Sequence, residues 1–164
     1  MKFSRLAVSA ALLTTLVTAQ PASIAGSDPR PIRVTLTGTA NPVGQPGQCI
    51  WTNPESGTGL AVHLGAITWS SAESVDFCSS APDADVVGEF TLTAADGDQL
   101  FGSYVTLAHP DFAAGVITFS GTWEITGGTG RFANATGEGT LSGNGSLAPP
   151  PSPVAATFEG TITY

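Results

Sequence analysis

Basic residues are scarce in this sequence: five Lys and Arg stand against 13 Asp and Glu in 164 residues, a net charge of −8. A surface so short of cations repels phosphate backbones and anionic lipid heads, so neither nucleic acid nor a membrane surface is expected as a partner. Cysteine is limited to Cys49 and Cys78, and without a CxxC-type cluster no metal site is expected, nor any cofactor. Asp83 with Asp85 and Asp96 with Asp98 offer carboxylates, but the twelve-residue calcium loop is missing and Asp in such places is first a turn residue. No GxSxG elbow accompanies the two histidines, His63 and His109, which leaves a Ser-His-acid site without support. No stretch has the sustained 3.6-residue period of a long helix.

Long apolar runs are also missing, with one exception. Leu6 to Ala19 is a run of 14 apolar-to-neutral residues, short of the ~20 needed to span a bilayer. It follows Lys2 and Arg5 and precedes small residues ending at Ala25, the pattern of a secretory signal peptide cleaved after Ala25, or alternatively after Ala19. Residues 1–25 therefore read as a signal and 26–164 as one domain of 164 − 25 = 139 residues, the size of a single core. That domain keeps Arg30, Arg33 and Arg131 against all 13 acids, a charge of 3 − 13 = −10. In a secreted or periplasmic chain, an even pair of cysteines predicts one disulfide, Cys49–Cys78. Once the signal is removed, no membrane insertion is expected.

What is present is alternation. Ile32, Val34 and Leu36 alternate with polar residues and predict a strand over 32–38. Residues 41–48 (NPVGQPGQ) read as a loop and 49–51 as a short strand. The Pro and Gly content of 53–59 (NPESGTG) predicts a turn region. Residues 60–70 (LAVHLGAITWS) read as one strand buried on both faces, with His63, Ile67 and Trp69 sharing a side. Residues 71–78 could form another strand before a polar loop over 79–85. Phe90 and Leu92 mark a strand over 86–93, Asp96-Gly97-Asp98 a hairpin turn, 99–107 its partner, and His109-Pro110-Asp111 a break. Over 116–126, Ile117, Phe119, Trp123 and Ile125 share a face with Gly121, opposite Thr118, Ser120, Thr122 and Glu124. Glycines on one side of 137–147 suggest sharp coiling. A proline-stiffened loop over 147–153 leads to a last strand, 155–164, that turns Phe158, Ile162 and Tyr164 inward with Gly160. Seven or eight such strands with hairpin connections predict an all-β, antiparallel up-and-down barrel of about eight strands, because closure removes sticky edges. A β-sandwich is the alternative, weakened by the short cysteine spacing.

Between the last two long strands before the prolines lies GGTGRF. Gly127, Gly128 and Gly130 with Phe132 predict a sterically tight structural turn, in which Gly128 is expected to need positive φ. From Trp123 to Gly143 the chain resembles a set of uncharacterised secreted bacterial proteins with the order His63-Leu64-Gly65, Ala94 to Gly102 and Ile125 to Gly137. The GGTG-x-F core, matched at Gly127, Gly128, Thr129, Gly130 and Phe132, is also similar to the motif of the allene oxide cyclase and dirigent barrels. Asn134 stands where glycine is usual, and Thr136-Gly137 where the plant motif ends in Arg-Gly. The resemblance implies an eight-stranded antiparallel β-barrel. It transfers no catalytic residue, because the matching positions shape a turn and perform no chemistry.

Two functions are compatible with these features. A noncatalytic secreted barrel would bind a small apolar ligand along His63, Trp69, Phe90, Leu92, Phe119, Trp123, Phe158 and Ile162. The alternative is a cyclase, isomerase or dirigent-like enzyme acting on a lipid or phenolic compound, which calls for at least two polar groups among apolar lumen positions. The inward faces offer His63, Tyr104 and Tyr164 for that purpose. Glu124 and Glu159 lie on Thr-rich faces expected to be solvated, so a glycosidase-type pair is not formed. Arg131 is expected to bond local carbonyls or an acid such as Glu138. Asn134 and Asn144 fit the glycosylation sequon.

Overall fold

The computed structural model describes residues 28–164; the expected signal peptide, 1–25, lies outside the described residues. Eight strands follow one another in chain order: β1 (Arg30–Ala40), β2 (Ile50–Ala61), β3 (Gly65–Asp76), β4 (Ala84–Ala94), β5 (Gln99–Asp111), β6 (Val116–Gly128), β7 (Thr136–Ser146) and β8 (Ser152–Thr163). Each pairs antiparallel with the next, and β8 returns to β1 over eleven residue pairs, closing the barrel. Closure excludes the sandwich. Every backbone ladder is satisfied without an edge strand.

Because the strands simply alternate in direction, the connections divide between two ends. The β1–β2, β3–β4, β5–β6 and β7–β8 loops surround one end, while the two-strand turns after β2 and β4, the GGTGRF segment and Tyr164 gather at the other. The second end is solid. Ile32, Leu92, Leu100, Ile125 and Ile162 fill it, and the fully buried Phe132 plugs it from below, its ring 4.8 Å from that of Tyr164. Such a layer of aliphatic and aromatic groups stabilises by roughly 1.5–3 kcal/mol per fully buried side chain.

GGTGRF shapes this plug through a single 3-10 turn, Gly130–Phe132, that drops Phe132 into the barrel. Gly127 and Gly130 carry the positive φ, 150° and 56°. Gly128 does not need it, contrary to the sequence reading; there a Cβ would collide with the Gln99 carbonyl oxygen and the Phe132 backbone. Arg131 pairs with Asp96 at 2.6 Å rather than with Glu138, lies 3.7 Å from Asp98, and covers the Phe132 ring at 4.6 Å. Its guanidinium also donates to the His63 carbonyl at 3.4 Å. One arginine thereby ties three turns of the closed end together.

Four inward-facing glycines make room for indoles. Gly38 pairs with Gly57 and Gly139 with Gly160; a Cβ at any of the four would press on Trp69 or Trp123. Each indole N–H then donates to a main-chain carbonyl of another strand, Trp69 across β2 to Thr37 at 3.1 Å and Trp123 to Thr140 on β7 at 2.9 Å. In β7, Gly139 takes part in this packing and Gly143 makes room for the Phe119 ring.

Three boundaries differ from the sequence reading. Residues 53–59, expected as a turn, lie in the middle of β2. Residues 60–70, expected as one strand, contain the β2–β3 turn, with His63 at φ 75° and Leu64 tucked back into the core; residues 71–76 complete β3. The expected break at His109-Pro110-Asp111 is the end of β5, which runs to Asp111 before the actual turn.

Candidate ligand cavity

The end opposite the plug is hollow. A cavity of about 650 Å³ occupies the lumen and opens between the four loops, the volume of a typical small-molecule site. Its walls are mostly apolar. Trp69, Phe90, Phe119 and Phe158 line it as the sequence suggested. Phe90 and Phe158 meet edge to face at 5.2 Å, and Phe158 also touches Trp123 at 6.1 Å, so this aromatic layer forms the floor between hollow and solid halves.

The other ligand-lining candidates fall elsewhere. Leu92, Trp123 and Ile162 are buried in the solid half below the floor. His63 is exposed in the β2–β3 turn, its Nε2 3.0 Å from the Pro31 carbonyl and its ring 6.0 Å from Tyr164; positive φ in the turn removes it from the alternation that had placed it beside Trp69. His109 Nδ1 lies 2.7 Å from an Asp83 carboxyl oxygen near the rim. Glu124 and Glu159 face outward, the latter 3.4 Å from Arg33.

A polar cluster the sequence reading did not assemble sits in the cavity wall. Asn53 and Glu55 on β2 pair in register with Glu73 and Ser71 on β3, and since inward positions alternate, all four enter the lumen together. Asn53 Nδ2 donates to Glu73 Oε1 at 2.6 Å and to Glu55 Oε1 at 3.1 Å. Ser71 Oγ donates to Glu55 Oε2 at 3.3 Å. From β5, the Tyr104 hydroxyl crosses β4 to donate to Glu73 Oε2 at 2.6 Å. It can cross because residue 88 is glycine: a Cβ there would strike the Tyr104 ring.

Burial dominates the electrostatics of the pair. It raises the Glu55 carboxyl, with a further push from the Glu73 charge, to about 8, against the lowering influence of Ser71 and Asn53. Burial also raises Glu73, opposed by the bonds from Tyr104 and Asn53. The Tyr104 hydroxyl is raised by burial and by Glu73, and stays protonated. At neutral pH Glu55 therefore holds a proton, and Glu73 is displaced in the same direction, its burial partly offset by the hydrogen bonds from Tyr104 and Asn53. Among the described residues, no Lys, Arg or His side chain lines the cavity. Chemically the cluster can hold a proton, release it, or receive hydrogen bonds from a guest.

Disulfide and rim complete the site. Cys49 and Cys78 are bonded, their Cα atoms 5.2 Å apart, and they staple the start of β2 to the segment after β3, where Trp51 and Phe77 meet at 5.8 Å in the cavity wall. Around the mouth, Val43, Ile50 and Phe112 are exposed, Phe112 by 79%. Such a rim suits entry of an apolar guest. The legible signal for the polar cluster was the alternation Ser71, Glu73, Val75; its partner Glu55 was hidden in a segment with turn-like composition. No protein-family model matches the chain, and no curated protein matches it significantly.

Proposed function

We propose that the protein is an exported, noncatalytic β-barrel that encloses a small, largely apolar molecule in the open half of its lumen. The observation carrying this reading is the hollow itself, about 650 Å³ behind an apolar rim and walled by Trp69, Phe90, Phe119 and Phe158. A packed barrel of eight strands would fill that space with its own side chains. Export is supported by the signal-like first 25 residues and by the Cys49–Cys78 bond, since disulfides persist in oxidising compartments.

The second reading, a cyclase, isomerase or dirigent-like enzyme on a lipid or phenolic substrate, is favoured by one observation. Glu55, Glu73 and Tyr104 converge in an apolar lumen, and a carboxyl raised to about 8 is suited to general acid work near neutral pH. The GGTGRF turn and the eight-strand barrel support likeness to the allene oxide cyclase and dirigent barrels and to the secreted bacterial set. Fold likeness alone does not transfer activity.

Native mass spectrometry with a panel of fatty acids, terpenoids and phenolics tests the reading. One bound molecule per chain is expected, with fluorescence quenching, because Trp51 and Trp69 line the cavity. Product analysis of the same mixtures separates binder from enzyme. Absence of any bound species and of quenching would contradict both readings.

A further inference from the structure

The open end of the barrel is apolar at the tips of its loops and charged only at their bases. Four aspartates lie there, and each is held back within its own surroundings. Asp76 accepts from the Cys78 and Ser79 backbone N–H groups and the Ser79 hydroxyl, and Asp111 from the Ala113 and Ala114 N–H groups. Asp85 accepts from the Ser80 hydroxyl, and Asp83 lies against His109. Residues 41–54, 112–115 and 142–158 contain no acidic or basic side chain. What projects from them instead is Val43, Ile50, Phe112 and Leu147, the first three each more than half exposed. The main chain fixes their places: Val43 exchanges two hydrogen bonds with Thr52, and the Leu147 N–H donates to the Gly115 carbonyl at 2.9 Å. Apolar groups held out into water on a preformed frame mark a contact surface.

We propose that this end docks on a neutral, zwitterionic lipid layer. Val43, Ile50, Phe112 and Leu147 enter its interface and hold the cavity mouth against it, so that an apolar guest passes between layer and lumen without crossing water. The passage rests on the reading of the lumen as a ligand site; the docking does not. Each side chain taken from water into the layer contributes in proportion to the apolar area removed, and a few together give reversible surface binding rather than a span.

Charge selects this cover. Among the described residues the three arginines lie toward the closed end, Arg30 and Arg33 at the start of β1 and Arg131 in the plug, so the mouth has no fixed cation to hold an anionic head. The repulsion expected of so acidic a chain applies to anionic lipids and leaves zwitterionic ones open. A second copy seated mouth to mouth would bring two acid-rich chains together and seal both cavities. The described chain also leaves the mouth uncovered, since it enters β1 and ends at Tyr164 on the closed side.

Flotation of the secreted protein with phosphatidylcholine vesicles, and with vesicles enriched in phosphatidylglycerol at low ionic strength, tests the docking. N-phenyl-1-naphthylamine fluorescence without lipid reports the lumen separately. The protein is expected to float with phosphatidylcholine, and less with phosphatidylglycerol. A Val43→Ser, Ile50→Ser double variant is expected to partition roughly tenfold less, as is Phe112→Ser in a different loop. The double variant should keep the dye binding of the unaltered protein, since neither residue lines the cavity. No flotation while the dye still binds would overturn the docking and leave the lumen as a ligand site; neither flotation nor dye binding would overturn both. Flotation without dye binding would uphold the docking and overturn the passage of a guest. Partitioning unchanged in the folded variants, or stronger on phosphatidylglycerol, would overturn the placement at the mouth. A dimer in sedimentation that the same substitutions separate, with no flotation, would assign the face to a second copy instead. Should one variant fail to fold, the other, in a separate loop, still decides.

Discussion

Single residues set the properties of this barrel at two places, Gly128 and Glu55. Gly128 ends β6 against the Gln99 carbonyl and the Phe132 backbone, so a β-branched side chain would have to push apart main-chain atoms at the plug. Gly128→Val is expected to cost at least about 1–3 kcal/mol, as overpacking does, and to lower the melting temperature by several degrees. An unchanged transition would contradict the packing described for the closed end. Glu55 sets a pH dependence. Its carboxyl is raised from 4.5 to about 8 in the folded chain, so above pH 4.5 the unfolded chain gives up a proton that the folded one keeps. The folded state then binds more protons, and its stability falls as pH rises, by at most about 1.4 kcal/mol per pH unit, until the folded carboxyl also ionises. Glu55→Gln removes this contribution. Denaturant titrations from pH 4.5 to 8 should show wild type losing stability relative to the variant across that window; parallel profiles would mean that Glu55 titrates normally.

Among the elements, β6 and β8 were legible in the sequence and β2 was not, for a physical reason. In β6 the inward side chains Ile117, Phe119, Trp123 and Ile125 are apolar and the outward ones polar, so the two-residue period is plain. In β2 the inward residues are Asn53, Glu55, Gly57 and Gly59, which read as a turn. Their partners lie across the barrel wall: Glu73 and Ser71 hold the first two, while Trp69 and Leu36 occupy the space that Cβ atoms on the glycines would take. Only the assembled neighbours reveal that burial. The same gap hid the polar cluster and moved His63, since a strand drawn through the β2–β3 turn gives it the wrong face. The disulfide spans 29 positions and closes the β2–β3 hairpin at the cavity mouth, where chain-entropy arguments assign it roughly 3–4 kcal/mol. The Cys49→Ser, Cys78→Ser double variant should lose roughly 3–4 kcal/mol of stability, melt at a lower temperature, and bind any lumen guest more weakly, through the loosened Trp51 and Phe77. Equal melting temperatures would show that the bond constrains little.

At the scale of the whole molecule, the barrel divides into a riveted end and an open one. Phe132, Arg131 and the Asp96–Asp98 turn close the first, and the motif that stands out in the sequence belongs there, far from the chemistry. The other end keeps the volume, the aromatic walls and the buried carboxyl pair. The most direct test of this division uses N-phenyl-1-naphthylamine, whose fluorescence rises in apolar surroundings, titrated into the unaltered protein and into Ala156→Trp. Ala156 lines the cavity, so an indole there fills the lumen without touching the outer surface. A saturable, one-to-one fluorescence rise in the unaltered protein, lost in a folded Ala156→Trp, is the predicted result; no rise, or a rise that the tryptophan leaves intact, would contradict a ligand site inside the barrel.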